Sequence, residues 1–517
     1  MAQEEDAVIR LMQQSDGVGA AMAALPYTMR TGLNARSLGT AGRRICCSKN
    51  DGIVVNPVTV AESEIDKKVE RFRGWLRSMG HEECNLKLQK CPGNDPAQGY
   101  GMVAGPGGIH KGRVVVKVPR RAFLSEETAR NCPLIGPLAK RAALSTWQIM
   151  CLHLLCERAR GQQSPWFSYI CLLPFEIELV GAHPLLWPQR MRREWLAGSP
   201  MLDIIERRLQ NCREDHEALI AAGASELMPV GTGSGGFITE AAVRWAAVIL
   251  LSRAFSLDLE EQVQGPVEFY GRSIALVPWA DMLNHCSSAG KDSCLAYSRV
   301  SDVATLRAHK SYTEGEQVYD SYGSNLSASQ LLLDYGFVDQ ENQNHAVDLP
   351  ASVLAPLKSK SNAILLEAVG LSISRSIYTL TPLGVDESVL AWTRVAVASP
   401  RELVDAGWRE DSRGASSAMV YFSKPVSREN ESEVVRRLLW ACEALLNKYP
   451  TTLEEDTAML VASDNTCNQV VSLPWARKQA LRALISEKLA LRGAQRVLWQ
   501  RLQKLRSGLS LDLLEIQ

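Results

Sequence analysis

The sequence predicts an α+β chain in which a β-rich region is interrupted by a helical insertion and followed by an all-α C-terminal part. Three observations carry this. Gly99-Tyr100-Gly101-Met102-Val103-Ala104 and the β-branched run Arg113 to Pro119 flank a Pro106-Gly107-Gly108 turn, as two short strands do. From about 140 to 270 the apolar residues recur at helical spacing between proline-rich breaks. Beyond Pro350 long helical stripes take over, with Val434, Leu438, Ala441 and Leu445 on one face.

The elements follow in order. A helix is expected from near Ala61 through Trp75-Leu76 to a stop at Gly80. After the two strands, Ser145 is placed to cap a helix whose Trp147, Cys151, Leu154 and Leu155 share a face. Gly231-Thr232-Gly233-Ser234-Gly235-Gly236 lies before a helix running from Thr239 to Phe255. No strand leads into it and no Lys-Ser/Thr pair follows, so it reads as a connection rather than a phosphate cradle. Strands return at Ala275 to Pro278 and from Leu295 to Ala308. Near the end Leu484, Leu491, Leu498 and Leu505 recur every seven residues, with Leu481 and Leu502 alongside. The pattern is too short for a free coiled coil and reads as a packed helical core. The expected domains are 62–345, with the insertion at about 140–270, and 346–517.

Composition narrows the functional classes. The chain has 517 residues, enough for two or three domains, and is 46% hydrophobic and 22% charged. Lys+Arg equals Asp+Glu, and no basic run carries interleaved aromatics, which argues against a nucleic-acid partner. No stretch approaches the eighteen or so consecutive apolar residues of a membrane span. The 13 cysteines are scattered, several of them (Cys151, Cys156, Cys171, Cys442) in apolar segments, as buried reduced thiols would be. No paired CxxC motif points to structural zinc, and no metal is expected.

The first fifty residues read as an address or a disordered tail. Gly17 to Asn50 contains no acidic residue but five basic ones: Arg30, Arg36, Arg43, Arg44 and Lys49. Small and hydroxylated residues fill much of the rest, as in an organelle transit peptide, with Arg43-Arg44-Ile45-Cys46-Cys47-Ser48 similar to a plastid processing region. Glu4, Glu5 and Asp6 are atypical of such a start, a conflict that translation from Met22 removes.

Three ordered segments carry the chemistry: Pro278-Trp279-Ala280-Asp281-Met282-Leu283-Asn284-His285, Gly315 to Gly323 with Tyr322, and Asp334-Tyr335-Gly336-Phe337-Val338. Together they resemble the signature of SET-domain protein-lysine methyltransferases, and the last segment is similar to the Rubisco large-subunit methyltransferase-like branch. The resemblance spans about residues 62 to 510 and is strongest from 240 to 340. Weaker likenesses at Asn430-Glu431, Tyr449 to Asp456 and Glu487-Lys488 imply that the C-terminal helices form the family's protein-substrate-binding domain.

The resemblance implies roles. Tyr322 is the catalytic candidate, facing both the sulfonium of S-adenosylmethionine and the substrate amine, and Tyr335 lines the same site against both ligands. Asn284 and His285 are cofactor-binding candidates, joined by the loop Gln98-Gly99-Tyr100, where Gln98 replaces an expected acidic residue. Arg253, in Ser252-Arg253-Ala254-Phe255, together with Asp281 and Tyr297, is a candidate substrate contact. Leu257 stands where the family carries a second arginine. These residue types suit the reaction. A lysine amine, with a pKa near ~10.4, must attack as the free base, and desolvation beside a cation favours that form. Tyrosines supply apolar walls and a hydroxyl together.

Three functions are therefore weighed: a plastid lysine methyltransferase acting on a stromal protein such as Rubisco large subunit or fructose-bisphosphate aldolase; a scaffold that keeps the fold without catalysis; and a histidine methyltransferase. A cytoplasmic location is the alternative to the stroma. The sequence leaves the substrate, the number of methyl groups transferred and the oligomeric state open.

Overall fold

The computed structural model describes residues 57–507, apart from 83, 91–98, 228–235, 257–273, 290–293, 324, 355–356, 372, 374–376, 409–414 and 466–472. Residues 1–50, Gln98, Leu257 and most of the Gly231–Gly236 run therefore lie outside the described residues.

Helix α1 (Pro57–Ser78) opens the fold and ends just before Gly80, whose φ of 78° turns the chain out of the helix. Its Phe72 and Leu76 are buried. Strands β1 (Leu86–Lys90), β2 (Tyr100–Ala104), β3 (Val114–Pro119) and β4 (Leu124–Ser125) follow. Helices follow one another between Glu126 and Arg253 among the described residues. Among these helices are α2 (Thr146–Arg160), α3 (Met201–Ala221) and α4 (Glu240–Arg253).

Ser145 caps α2 through a reciprocal box, its Oγ accepting from the Gln148 amide at 3.2 Å while Gln148 Oε1 accepts from the Ser145 amide at 3.0 Å. Thr239 caps α4, accepting from Ala242 N–H at 3.1 Å. Helix α2 differs from the one-faced reading. Ile149, Met150, Leu152 and His153 are as buried as the predicted stripe, because α3 and α4 pack against it within the insertion.

The remaining strands are β5 (Ala254–Ser256), β6 (Ile274–Leu276), β7 (Asn284–His285), β8 (Ala296–Ser298), β9 (Val303–Arg307) and β10 (Gln317–Asp320). They form three small sheets rather than one: β1-β2-β10-β7, β3-β9-β8 and β4-β6-β5. Helix α5 (Ala328–Tyr335) closes this region, capped by Ser327 and ended by Gly336 at φ 82°.

The C-terminal part is mostly helical, built from α6 (Glu387–Ala396), α7 (Arg428–Leu446), α8 (Leu453–Asn465) and α9 (Trp475–Arg506). The stripes are the core as read: Val434, Leu438, Ala441 and Leu445 on α7, and Leu484, Leu491, Leu498 and Leu505 on α9, are all buried. It is not helical throughout. Strands β11 (Val347–Pro350), β12 (Ile377–Thr381) and β13 (Gly384–Val385) form a small antiparallel sheet. Ile377-Tyr378-Thr379-Leu380 alternates exposed and buried, the strand period that the long helical stripes overshadow. Gly493 of α9 lets the β12–β13 turn approach, since a Cβ there would sit 2.3 Å from Pro382 Cα. No helix among the described residues is long and apolar enough to cross a membrane.

Candidate functional site

The sheet β1-β2-β10-β7 gathers three distant segments. Strand β10 pairs antiparallel with β2, Gln317 opposite Val103 and Val318 opposite Met102. On its other edge it pairs parallel with β7, Tyr319 with Asn284 and Asp320 with His285. Continuing the β2 register sets Tyr100 level with Asp320, and hence with His285. Tyr322 follows at this same end of β10. Gly99, exposed with φ 47°, leads into β2 there.

Tyr322 stands at the centre of an aromatic cluster. Its ring stacks on Tyr335 with centroids 4.5 Å apart and planes at 30°, lies 5.1 Å from His285 and meets Phe337 edge-on at 6.4 Å. Such pairs contribute roughly 0.5–1.5 kcal/mol each beyond simple burial. The Tyr322 hydroxyl donates to the Leu283 carbonyl at 2.9 Å, which ties it to the segment just ahead of Asn284. Tyr335 is carried by the last turn of α5, and burial, followed by the charge of Asp334, holds its phenol well above the usual tyrosine range, so it stays protonated.

His285 is locked as a neutral imidazole. Burial pulls its pKa down to about 4, with Asp339 acting against the shift. Its Nδ1 accepts from the Tyr322 amide at 3.1 Å, so the proton sits on Nε2, which donates to Ser287 Oγ at 3.1 Å. The Ser287 amide in turn donates to Asp339 at 2.8 Å. The imidazole thus fixes the backbone from which Tyr322 projects.

Asp281 and Arg253 are brought together one step away. Arg253 Nη1 donates to the Asp281 carbonyl at 2.8 Å and lies 3.4 Å from its carboxylate, while Tyr169 donates to that carboxylate at 2.7 Å. Asp281 is buried, and burial raises its pKa against the opposing pull of Arg253 and Tyr169. Its Oδ1 is buried with no hydrogen-bond partner among the described residues. Trp279, which precedes this turn, holds φ 85° and ψ −48°, a strained backbone for a bulky residue.

Tyr297 is not joined to this cluster. It sits on β8 in another sheet, its hydroxyl donating to Asp302 at 2.6 Å and accepting from Arg120 at 3.0 Å, its ring against Phe123. That is the geometry of a satisfied structural tyrosine. Sequence reasoning gave no role to two residues that touch these side chains: Phe337, although it stands inside the quoted Asp334–Val338 segment, and Tyr169, whose apolar surroundings carry no local signal. No cluster of His, Cys, Asp or Glu able to hold a metal occurs among the described residues.

The fold is similar to that of a SET domain. The SET domain of LSMT bound to lysine and AdoHcy superimposes on it with a TM-score of 0.68 at 21% identity, over 86% of this chain and 93% of that one. Residues 358–491 match the family model described as Rubisco LSMT substrate-binding. The chain is 26% identical over 479 residues to the chloroplastic [fructose-bisphosphate aldolase]-lysine N-methyltransferase of Arabidopsis thaliana, covering 89% of this chain and 88% of that protein. It is 27% identical over 401 residues to the actin-histidine N-methyltransferase of Danio rerio, covering 75% and 63% respectively. The chain is thus similar, over most of its length, to protein N-methyltransferases of the Rubisco LSMT type, and its C-terminal part matches their substrate-binding family model.

Proposed function

We propose that the protein is an S-adenosylmethionine-dependent protein-lysine N-methyltransferase acting on a soluble stromal protein, with aldolase and Rubisco large subunit as first substrates to test. The observation that carries the reading is the convergence of β2, β7 and β10 at the stacked Tyr322–Tyr335 pair, where motif residues from three parts of the chain meet.

The residues fit the cofactor by their chemistry. Asn284 offers a carboxamide with donors and an acceptor at one end of the cluster, suited to a zwitterionic amino-acid moiety. Gly99 and Tyr100 lie at the same end of the sheet, where a side-chain-free residue lets main chain approach a ligand. The faces of Tyr322 and Tyr335 suit a cation such as a sulfonium. When bound, the cofactor supplies an electrophilic methyl group on that sulfonium.

The chain's own residues do the rest. The stacked tyrosines and Phe337 form apolar walls that exclude water, which favours the neutral, attacking form of a lysine amine. With its proton held on the Leu283 carbonyl, the Tyr322 oxygen directs its lone pairs away from that carbonyl, where they can accept from an amine N–H and orient it. Asp281, paired with Arg253, is assigned to guiding the cationic substrate side chain toward this place. Transfer of labelled methyl from S-adenosylmethionine to purified aldolase and Rubisco tests the reading; binding of either protein with no transfer would leave a scaffold instead.

The match to a histidine-modifying relative keeps one second reading, a histidine acceptor. Mass spectrometry of the labelled residue decides between the two.

A further inference from the structure

We propose that a groove in the C-terminal lobe, between the start of α7 and the end of α9, docks an acidic stretch of the protein substrate with apolar residues interleaved. The inference rests on the methyltransferase reading only for the identity of the occupant.

The groove has a volume of about 770 Å³. Its walls carry five cationic side chains, with Lys358, Arg436 and Arg506 exposed, against two carboxylates, Glu429 and Glu433. In a chain whose formal net charge is zero, this is a local excess of positive charge. Its floor is apolar, with Leu357, Val397, Leu502 and Leu505.

The walls are fixed in place. Helices α7 and α9 run antiparallel: Arg428 bonds the Leu505 carbonyl, Arg501 pairs with Glu431 at 2.6 Å, and Gln495 donates to Glu443 at 2.9 Å. Arg437 donates to the Leu354 carbonyl at 3.0 Å and ties α7 to the adjoining segment.

Beside the groove lie two large exposed aromatics. Trp440 precedes Glu443 by one turn and Trp499 follows Gln495 by one turn, so both stand on the edge where the helices meet, toward the groove. They are 58% and 50% exposed, although each could bury as much apolar surface as a core residue. Exposed Trp and Arg around a fixed concave surface are the side chains that dominate protein recognition. Positive walls over an apolar floor select carboxylates alternating with aliphatic groups, and disfavour a basic or purely polar segment.

The test uses the full chain and two fluorescein-labelled twelve-residue peptides, one alternating Glu and Leu-rich turns and the other with every Glu replaced by Gln. The acidic peptide is expected to bind with an affinity that weakens on going from 50 to 300 mM salt, and the Gln peptide to bind at least tenfold more weakly. Arg436→Glu/Arg506→Glu should weaken acidic-peptide binding at least tenfold, Arg436→Gln/Arg506→Gln by less, and Trp440→Ala/Trp499→Ala about as much as the charge reversal. All these positions are exposed, and thermal melting confirms that the variants fold. Equal binding of the two peptides, or indifference to the arginine variants, overturns the proposal. So does acidic-peptide binding that emerges only when residues 508–517 are removed, since the chain's own Asp512 and Glu515 would then be the occupant. Peptide binding is read without methyl transfer. A chain inert in the transfer assay therefore leaves this test standing, and an active chain whose groove variants bind normally overturns the groove alone.

Discussion

The Tyr322 cluster and the C-terminal helices bury polar groups by opposite means. Around the Tyr322 ring, His285 is a deprotonated imidazole, Tyr335 a protonated phenol, and the Tyr322 hydroxyl bonds a main-chain carbonyl. Among the C-terminal helices two of the polar contacts are buried ion pairs. Arg394 and Glu431 lie at 2.8 Å with both side chains fully buried, and Lys488 and Asp456 at 2.5 Å are almost as enclosed. A neutral, dry cluster leaves the charge to whatever enters, which suits a place where a cation and an amine are to meet. Buried pairs instead fix which helices pack together, because separating either partner strands a charge.

The largest effect should come from the helical side. Lys488→Met strands Asp456, and unfolding in urea should show a loss of about 3–5 kcal/mol. The double variant Lys488→Met/Asp456→Leu should recover most of it. If the single variant costs no more than the double, the pair does not organise this lobe.

Next comes Tyr322→Phe, which removes a hydroxyl and keeps the ring stack. Turnover should fall by about a hundredfold or more while cofactor affinity, measured by calorimetry, stays within about twofold. Equal losses in both would reverse the assignment.

The two regions should also answer pH with opposite signs. Glu487 accepts from Ser199, Ser329 and Tyr449, and burial lifts its pKa to about 7 from an ordinary 4.5. Between those values the folded state holds the extra proton, so this contribution is complete below about pH 4.5 and is lost as pH rises through 7. His285, lowered from 6.5 to about 4, behaves in reverse: the unfolded state takes up the proton first, so its contribution is lost as pH falls through that window. Glu487→Gln should flatten the first slope and leave the second. An unchanged profile would mean Glu487 is ionised in the folded protein.

The smallest expected change is Asn284→Ala, which should weaken S-adenosylmethionine binding about tenfold, as the loss of a hydrogen bond to a charged ligand does. Unchanged affinity would remove Asn284 from the cofactor's surroundings.

Much of this architecture was legible before any coordinates. The leucines of α9, the α7 stripe and the Ser145 and Thr239 caps stand where local periodicity and capping chemistry put them. The motif residues Asn284, His285, Tyr322 and Tyr335 were legible by resemblance, and the structure gathers them. Tyr297 was grouped with them, yet its hydroxyl belongs to Asp302 and Arg120, since a strand position does not reveal which sheet the strand joins. Tyr169 and the β12–β13 hairpin went unread for the same reason: their partners, Asp281 and β11, lie far away along the chain.

The sequence by itself determined which faces of the helices are apolar, where they start, and which side chains are available for chemistry, because those properties depend on neighbours within a turn or two. Only the tertiary structure decided that β10 lies between β2 and β7, that His285 is neutral with its proton on Nε2, and that Glu487 is shared by three hydroxyls from separate elements. Strand partners and protonation states are set by burial and by groups brought close in space, and those distances are not written in any local stretch of residues.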